Sequence, residues 1–422
     1  MIQTIRKAWG IPELRKKIVF TLLVLLIYRI GNAISVPYVN TELLGLYLQS
    51  QGNNILGLLN VMSGSAFAMA TVFALGIQPY INSSIIIQLL TIAIPALERL
   101  AKDGGEEGKK KIQSITRYST VGIALLQAVG YFFLMKSQGF LTNDSFWAAL
   151  VIIVSFMAGS SFLMWLGEQI NEFGIGNGIS MILFAGIISR IPNTVSNIYG
   201  SVATGVMHWA WVILIVVGIA LLVALIVFVT DAERRIPVQY AKRVVGRKMY
   251  GGQSTHLPMK VNMSGVMPII FASSISSIPA TIAAFTGHQD SAWAKTNTIP
   301  YAIIYLLLII FFAYFYSTIQ FNPIEVANNL KKNGGYIPGF RPGKPTSEFI
   351  QKVLNKITLF GAIYLGIIAI TPILVSHFSN AAALTGLSLG GTSIIIVVGV
   401  ALETVRAIEA QMLMRNYKGF LS

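Results

Sequence analysis

Of the 31 lysines and arginines in this chain of 422 residues, only Arg29 falls well inside an apolar run. The other cations crowd into the segments between runs, and Asp and Glu also keep away from mid-run positions. A cation at mid-bilayer costs several kcal/mol unless it is solvated or paired. The pattern therefore describes a membrane protein with an uncharged interior. Whatever such a protein moves is not driven by titrating carboxylates.

Composition supports this reading. Hydrophobic residues make up 54% of the chain and charged residues only 11%. Soluble domains carry roughly 25% charged residues, so a large water-soluble core is excluded. A span takes roughly 20 apolar residues, and ten runs qualify: 18–36, 72–94, 116–135, 147–166, 175–191, 211–230, 262–285, 300–320, 357–376 and 392–410. They are continuous rather than alternating, which argues against a membrane β-barrel. The expected fold is an all-α membrane protein with ten transmembrane helices. The first run follows Arg6, Lys7, Arg15, Lys16 and Lys17, yet it is long and lacks a small-residue cleavage site, so a retained first span is expected. Without cysteine there are no disulfides or thiolate metal sites. His208, His256, His288 and His377 are scattered and lack metal-ligand spacing, so neither metal nor cofactor is expected.

Lysine and arginine counts give the topology. The N-terminus holds five, 98–117 six, 231–260 seven, 321–356 six and the tail from Arg406 three, whereas the intervening connections hold only Lys136, Arg190 and Lys295. Both termini are thus expected to be cytoplasmic. The connection 167–177 has Glu168 and Glu172 but no cation, and parity alone puts it on the cytoplasmic side.

Two connections are long, and both are basic. In the first, Ile236–Tyr240 alternates apolar and polar residues and Gly251-Gly252 follows, as in a short hairpin. The second, Asn333-Gly-Gly-Tyr-Ile-Pro-Gly-Phe-Arg-Pro-Gly-Lys344, reads as an ordered turn or extended loop. Ordinary inside-positive retention needs only loose cations. Pro and Gly packed around Arg341 suggest a shaped surface instead, suited to an anionic partner such as ribosomal RNA or an acidic protein. Gly104-Gly105-Glu-Glu-Gly108-Lys109 lacks the spacing and the Ser/Thr of a nucleotide-binding loop, and no strand precedes Gly174-Ile-Gly176-Asn-Gly178, which suits a tight turn. No triad or acid pair is legible, so an enzyme is not expected.

Within the membrane, 58–70 is rich in small residues and too short to span alone. It suits a broken, partly re-entrant helix facing a cavity, or else an external loop. In the run after it, Ile81 and Ile85 share a helix face, and Asn82, Ser83, Ser84 and Gln88 interrupt the apolar pattern. Branched aliphatics on such a face suit either bundle packing or a dry constriction that gates by dewetting.

Several blocks together carry a family likeness. They are Phe73-Ala-Leu-Gly-Ile-Gln-Pro-Tyr-Ile-Asn-Ser-Ser-Ile-Ile-Ile-Gln-Leu-Leu90, Gly174-Ile-Gly-Asn-Gly-Ile-Ser180, Tyr240-Ala-Lys-Arg243, Val261-Asn-Met-Ser-Gly-Val-Met-Pro268 and Pro338-Gly-Phe-Arg-Pro-Gly343. In this order they resemble the bacterial SecY family, the central subunits of the general protein translocase, over essentially the whole chain.

The resemblance implies two inverted pseudo-symmetric halves of five spans, residues 1–200 and 201–422, around an hourglass channel. A re-entrant plug helix near 57–70 would close the channel, through Asn60, Val61, Met62, Ser63, Gly64, Ser65, Ala66 and Phe67. A constricting ring would draw on Ile81, Ile85, Ile179, Leu183, Ile270, Ser274 and Ile396. Leu183 departs from the family's usual isoleucine, which a ring needing only bulk and apolarity tolerates. A lateral gate between the second and third spans and the seventh and eighth would place Gln88, Gln127 and Asn262 nearby. Lys242, Arg243, Arg341 and Lys344 match loop positions that dock the motor ATPase SecA or the ribosome. The small subunits SecE and SecG, signal sequences, unfolded secretory polypeptides and membrane lipid are the other partners implied, in the bacterial plasma membrane.

Physical reasoning agrees with these expectations. A polypeptide carries both charges and apolar groups, so its conduit should bind none of them strongly. An aliphatic gasket holds back ions yet lets an extended chain slip through. The rivals are an ion-coupled transporter, which would place carboxylates or histidines at mid-depth, and a lipid-modifying enzyme, which would need a nucleophile, an acid pair or a metal cluster.

Overall fold

The computed structural model describes residues 2–50, 60, 63–205, 208–240, 243–245, 248–250, 254–285, 298–378 and 391–418. Helices dominate. They are α1 (Ile2–Trp9), α2 (Pro12–Gly31), α3 (Thr41–Ser50), α4 (Gln78–Ala93), α5 (Pro95–Lys102), α6 (Gly105–Ser137), α7 (Phe146–Phe173), α8 (Gly178–Ile188), α9 (Ile191–Ala203), α10 (Trp209–Asp231), α11 (Met267–Phe285), α12 (Ile299–Gln320), α13 (Pro323–Lys332), α14 (Lys344–Phe378) and α15 (Gly391–Lys418).

Each of the ten apolar runs falls on one of these helices. Six helical stretches among the described residues are long and apolar enough to cross a membrane, or seven if the bent pair α4 and α5 is one span. Length and composition alone thus do not reach ten. α2 shows why, because it holds Glu13, Arg15, Lys16, Lys17 and Arg29 within 20 residues. The axes of α4 and α5 differ by 104°. The break falls at Ile94, which is extended, and Pro95 removes a backbone donor and disfavours helix in the residue before it.

Two charge placements refine the sequence reading. Arg29, inside the apolar run, lies in the last turn of α2, which stops at Gly31. A cation there meets the partial negative charge of the helix end. Glu403 falls inside the expected run 392–410, whose uninterrupted apolar part ends at Leu402. One turn further on, Arg406 donates to the Thr230 carbonyl at 3.0 Å and pairs with Asp231 at the end of α10.

Tight packing fixes how the helices meet. A Cβ on Gly159 of α7 would lie 1.9 Å from the Val72 carbonyl oxygen, so only glycine lets α7 approach the turns that precede α4. α6 and α7 are joined by a bidentate ion pair: Arg117 Nε and Nη2 each lie 2.9 Å from an oxygen of Glu168, which also accepts from Gln113 at 3.1 Å. This pair places the cation-free connection 167–177 on the same side as the basic segment 98–117.

The two long connections fold together. β1 (Glu233–Tyr240) pairs antiparallel with β4 (Ser254–Lys260), with Ile236 opposite Leu257, and β2 (Arg243–Val245) pairs with β3 (Lys248–Tyr250). This is the expected hairpin. The sequence did not show that β5 (Gly335–Tyr336), from the second connection, adds to the free edge of β1 with Gln239 opposite Tyr336. Ile236, Val238 and Met259 then share a small core with Leu330, Ile337, Ile350 and Leu354.

Candidate functional site

One buried aliphatic cluster makes up the main core. Ile81 and Ile85 of α4, Leu183 of α8, Ile270 of α11 and Ile396 of α15 belong to one buried cluster, each no more than 3% exposed, with Ile179 partly buried against it. Four helices far apart in sequence therefore bring their branched side chains to one place. Ser274, one turn beyond Ile270, is fully buried and donates to Gln78 Oε1 at 3.2 Å. That bond crosses from α11 to the head of α4 beside the aliphatic cluster. Such a cluster presents neither fixed charge nor a strong hydrogen-bonding group, and a constriction of this kind sheds water.

The segment preceding α4 joins this cluster through Phe73 and Ile77. Asn60 is helical, Val61 and Met62 lie outside the described residues, and 63–77 is a succession of turns rather than the helix expected from sequence. The backbone explains why. Gly64, Ser65, Ala70 and Gly76 have φ of 68°, 71°, 42° and 58°, conformations that no right-handed helix contains. For Ser65 and Ala70, which carry a Cβ, each such residue costs about 1–3 kcal/mol and persists only where its surroundings hold it.

The surroundings do so through specific bonds. The Ser63 carbonyl accepts from Tyr28 Oη at 3.2 Å and Asn32 Nδ2 at 3.4 Å. Asn60 Oδ1 accepts from the Ala68 amide, and Ser63 Oγ from the Phe67 amide. The Phe67 carbonyl accepts from Tyr131 Oη of α6 at 2.6 Å, and the two rings stack with centroids 4.2 Å apart. The Ala70 carbonyl accepts from the Val36 amide at 2.9 Å. On the other side, a Cβ on Gly64 would lie 2.9 Å from Ser189 Oγ and 3.0 Å from the Gly186 carbonyl oxygen at the end of α8. Tyr28 and Tyr131 escaped the sequence reading because a tyrosine inside an apolar run carries no signal of its partner.

A cavity of about 330 Å³ opens beside this seat, between α4, α6 and α11. Ser63, Phe67, Asn82, Gln127, Ser277 and Thr281 are among its lining residues. Of the three polar residues expected near a gate, Gln127 lines it and the other two do not. Gln88 donates to Ser84 Oγ on its own helix at 3.3 Å. Asn262 is buried just ahead of α11, where its Cα would lie 3.9 Å from a Cβ on Gly361 of α14.

Three of the four loop cations lie among the described residues. Lys242 lies outside the described residues, and Arg243 opens β2. Arg341 is exposed in the turn between β5 and α14, its carbonyl accepting from Thr346 Oγ1 at 2.8 Å, and exposed Lys344 begins α14. Phe340 and Phe349 stack at 4.2 Å and hold that turn to α14.

Known proteins share both sequence and architecture. A family model for SecY matches residues 71–405. The protein translocase subunit SecY of Streptomyces scabiei is 45% identical over an alignment of length 442, and that of Bacillus subtilis 44% over one of length 435, each alignment covering 100% of both chains. A solved structure described as "The structure of a protein conducting channel" superposes with a TM-score of 0.68 at 18% identity, over 94% of this chain and 92% of that one. Sec61 in the canine ribosome-channel complex from the endoplasmic reticulum gives 0.65 at 17%, over the same shares. At such identities the likeness is one of fold, and the fold and the full-length identity to the bacterial proteins lead to the same place: this chain is a multi-pass membrane protein belonging to the SecY family.

Proposed function

We propose that this chain is the protein-conducting channel of a bacterial translocase, passing unfolded secretory polypeptides across the plasma membrane and releasing transmembrane segments sideways into lipid. It is a passive pore and carries out no chemistry of its own. The observation that carries this reading is the gathering of Ile81, Ile85, Leu183, Ile270 and Ile396 in one buried cluster that Phe73 and Ile77 of the turn segment also join. With Ile179 and Ser274 they form the constricting ring, and Asn60 to Phe67 form the plug that seals it.

The cavity between α4, α6 and α11 is the site where a signal sequence inserts, with Gln127 on its wall; Gln88 and Asn262 flank the gate from outside the cavity. The ten apolar runs are ten spans in two inverted halves, 1–200 and 201–422, with both termini in the cytoplasm. Force comes from a motor of the SecA type or from the ribosome, seated on the two basic connections through Lys242, Arg243, Arg341 and Lys344. Small subunits of the SecE and SecG type brace the assembly.

Reconstitution tests this function. Vesicles holding the chain with its small subunits, the motor and ATP should protect a secretory precursor from external protease. Precursor that remains fully digestible, with the motor active, would refute it.

A further inference from the structure

Tyr131 belongs to two structures at once. It lies on α6, one wall of the cavity, and it is the residue that grips the seated segment most closely. Its hydroxyl donates to the Phe67 carbonyl at 2.6 Å, and its ring stacks on the Phe67 ring at 4.2 Å. It is fully buried, and behind it Phe156 of α7 packs at 5.1 Å. Four residues before it on the same helix, Gln127 lines the cavity that Phe67 also lines. Any movement of α6 that widens the cavity therefore pulls on this carbonyl and this ring.

The gripped segment has reason to leave when released. Ser65 and Ala70 are held in the left-handed region on either side of Phe67, a conformation that survives only while the seat enforces it. The opposite side of the seat, Tyr28 on the Ser63 carbonyl at 3.2 Å, belongs to α2 and does not line the cavity. The two tyrosines thus hold the segment from different helices, and only one of those helices borders the gate.

Resting on the channel reading above, we propose that Tyr131 is the latch that makes plug release depend on the lateral gate. While α6 stays against α11, Tyr131 holds Phe67 and the plug is seated. When an apolar segment enters the cavity and displaces α6, the grip breaks and the strained turns unseat. Tyr131 is a positioning residue: it touches the plug and acts on the throat through it.

The absence of native cysteine allows a direct test in the full complex. Ser65→Cys reports plug exposure by maleimide labelling from the external side. Gln127→Cys with Thr281→Cys, joined beforehand by a flexible bis-maleimide, locks the gate, and labelling is counted as a fraction of the Ser65→Cys thiol left unreacted, titrated after denaturation. In the parent, locking should lower labelling several-fold. Tyr131→Phe should raise labelling of the unlocked complex by about three- to tenfold, the effect of one hydrogen bond between membrane segments. In that variant labelling should be nearly the same whether the gate is locked or free. A tyrosine that merely stabilised the fold would raise both values and leave their ratio unchanged, and an unchanged ratio overturns the latch. Should Tyr131→Phe fail to assemble, Phe67→Leu removes the stacking and keeps the carbonyl, and the same ratio decides. Precursor transport in the parent complex is measured alongside. An unchanged ratio with intact transport refutes only the latch, whereas absent transport refutes the channel reading and the latch with it.

Discussion

Ser274 of α11 donates to Gln78 Oε1 at the head of α4, 3.2 Å across the inner wall of the molecule and 196 residues away in sequence. It joins two helices that border the same cavity, directly beside the aliphatic throat. A hydrogen bond between membrane helices contributes roughly 0.6 kcal/mol on average. Ser274→Ala should therefore shift the closed channel toward opening by about threefold. Single-channel recording without substrate checks this, and a resting conductance equal to that of the parent would show that the bond does not hold the gate.

Gly159 permits α7 to lie against the Val72 carbonyl, where a Cβ would stand 1.9 Å from the oxygen. Backbone cannot yield there as a flexible side chain would. Gly159→Ala should cost on the order of 1–3 kcal/mol through overpacking, and should lower the unfolding temperature of the detergent-solubilised protein. Melting at the parent's temperature would mean that α7 and the turns before α4 do not approach this closely.

Much of the fold could be read from hydrophobicity, because lipid requires apolar helices and each of the ten runs overlaps a helix, though six or seven among the described residues are long and apolar enough to span. The ends could not. Arg29 stands well inside the run 18–36, whereas the helix stops at Gly31. Glu403 differs, since its helix runs on to Lys418 and only the apolar pattern ends, at Leu402. The throat residues were legible through the family likeness and by side-chain type. Their convergence was not, since Ile81 and Ile396 join one buried cluster only through tertiary packing. The turns at 63–77 depend on Tyr28, Asn32 and Tyr131 gripping single carbonyls, and β5 pairs with a strand about a hundred residues away. Neither leaves a local pattern.

Arg341 is exposed on a turn that the Phe340–Phe349 stack and the Thr346 hydroxyl hold in shape. Arg341→Glu should thus leave the melting temperature unchanged, since an exposed charge contributes little to stability, yet should lower motor-driven transport by at least about tenfold by reversing the charge that meets an anionic partner. Normal transport by this variant would remove the turn from the docking surface.

The most direct measurement concerns the throat itself. With no native cysteine to interfere, a single cysteine at Ile81 or Ile270 is oxidised against a secretory chain stalled in transit that carries its own cysteine. Disulfide formation at both positions, and only while the chain is stalled, is the predicted result. No crosslink at any of Ile81, Ile85, Leu183, Ile270 or Ile396, with the precursor demonstrably in transit, would place the conduit elsewhere and contradict the account.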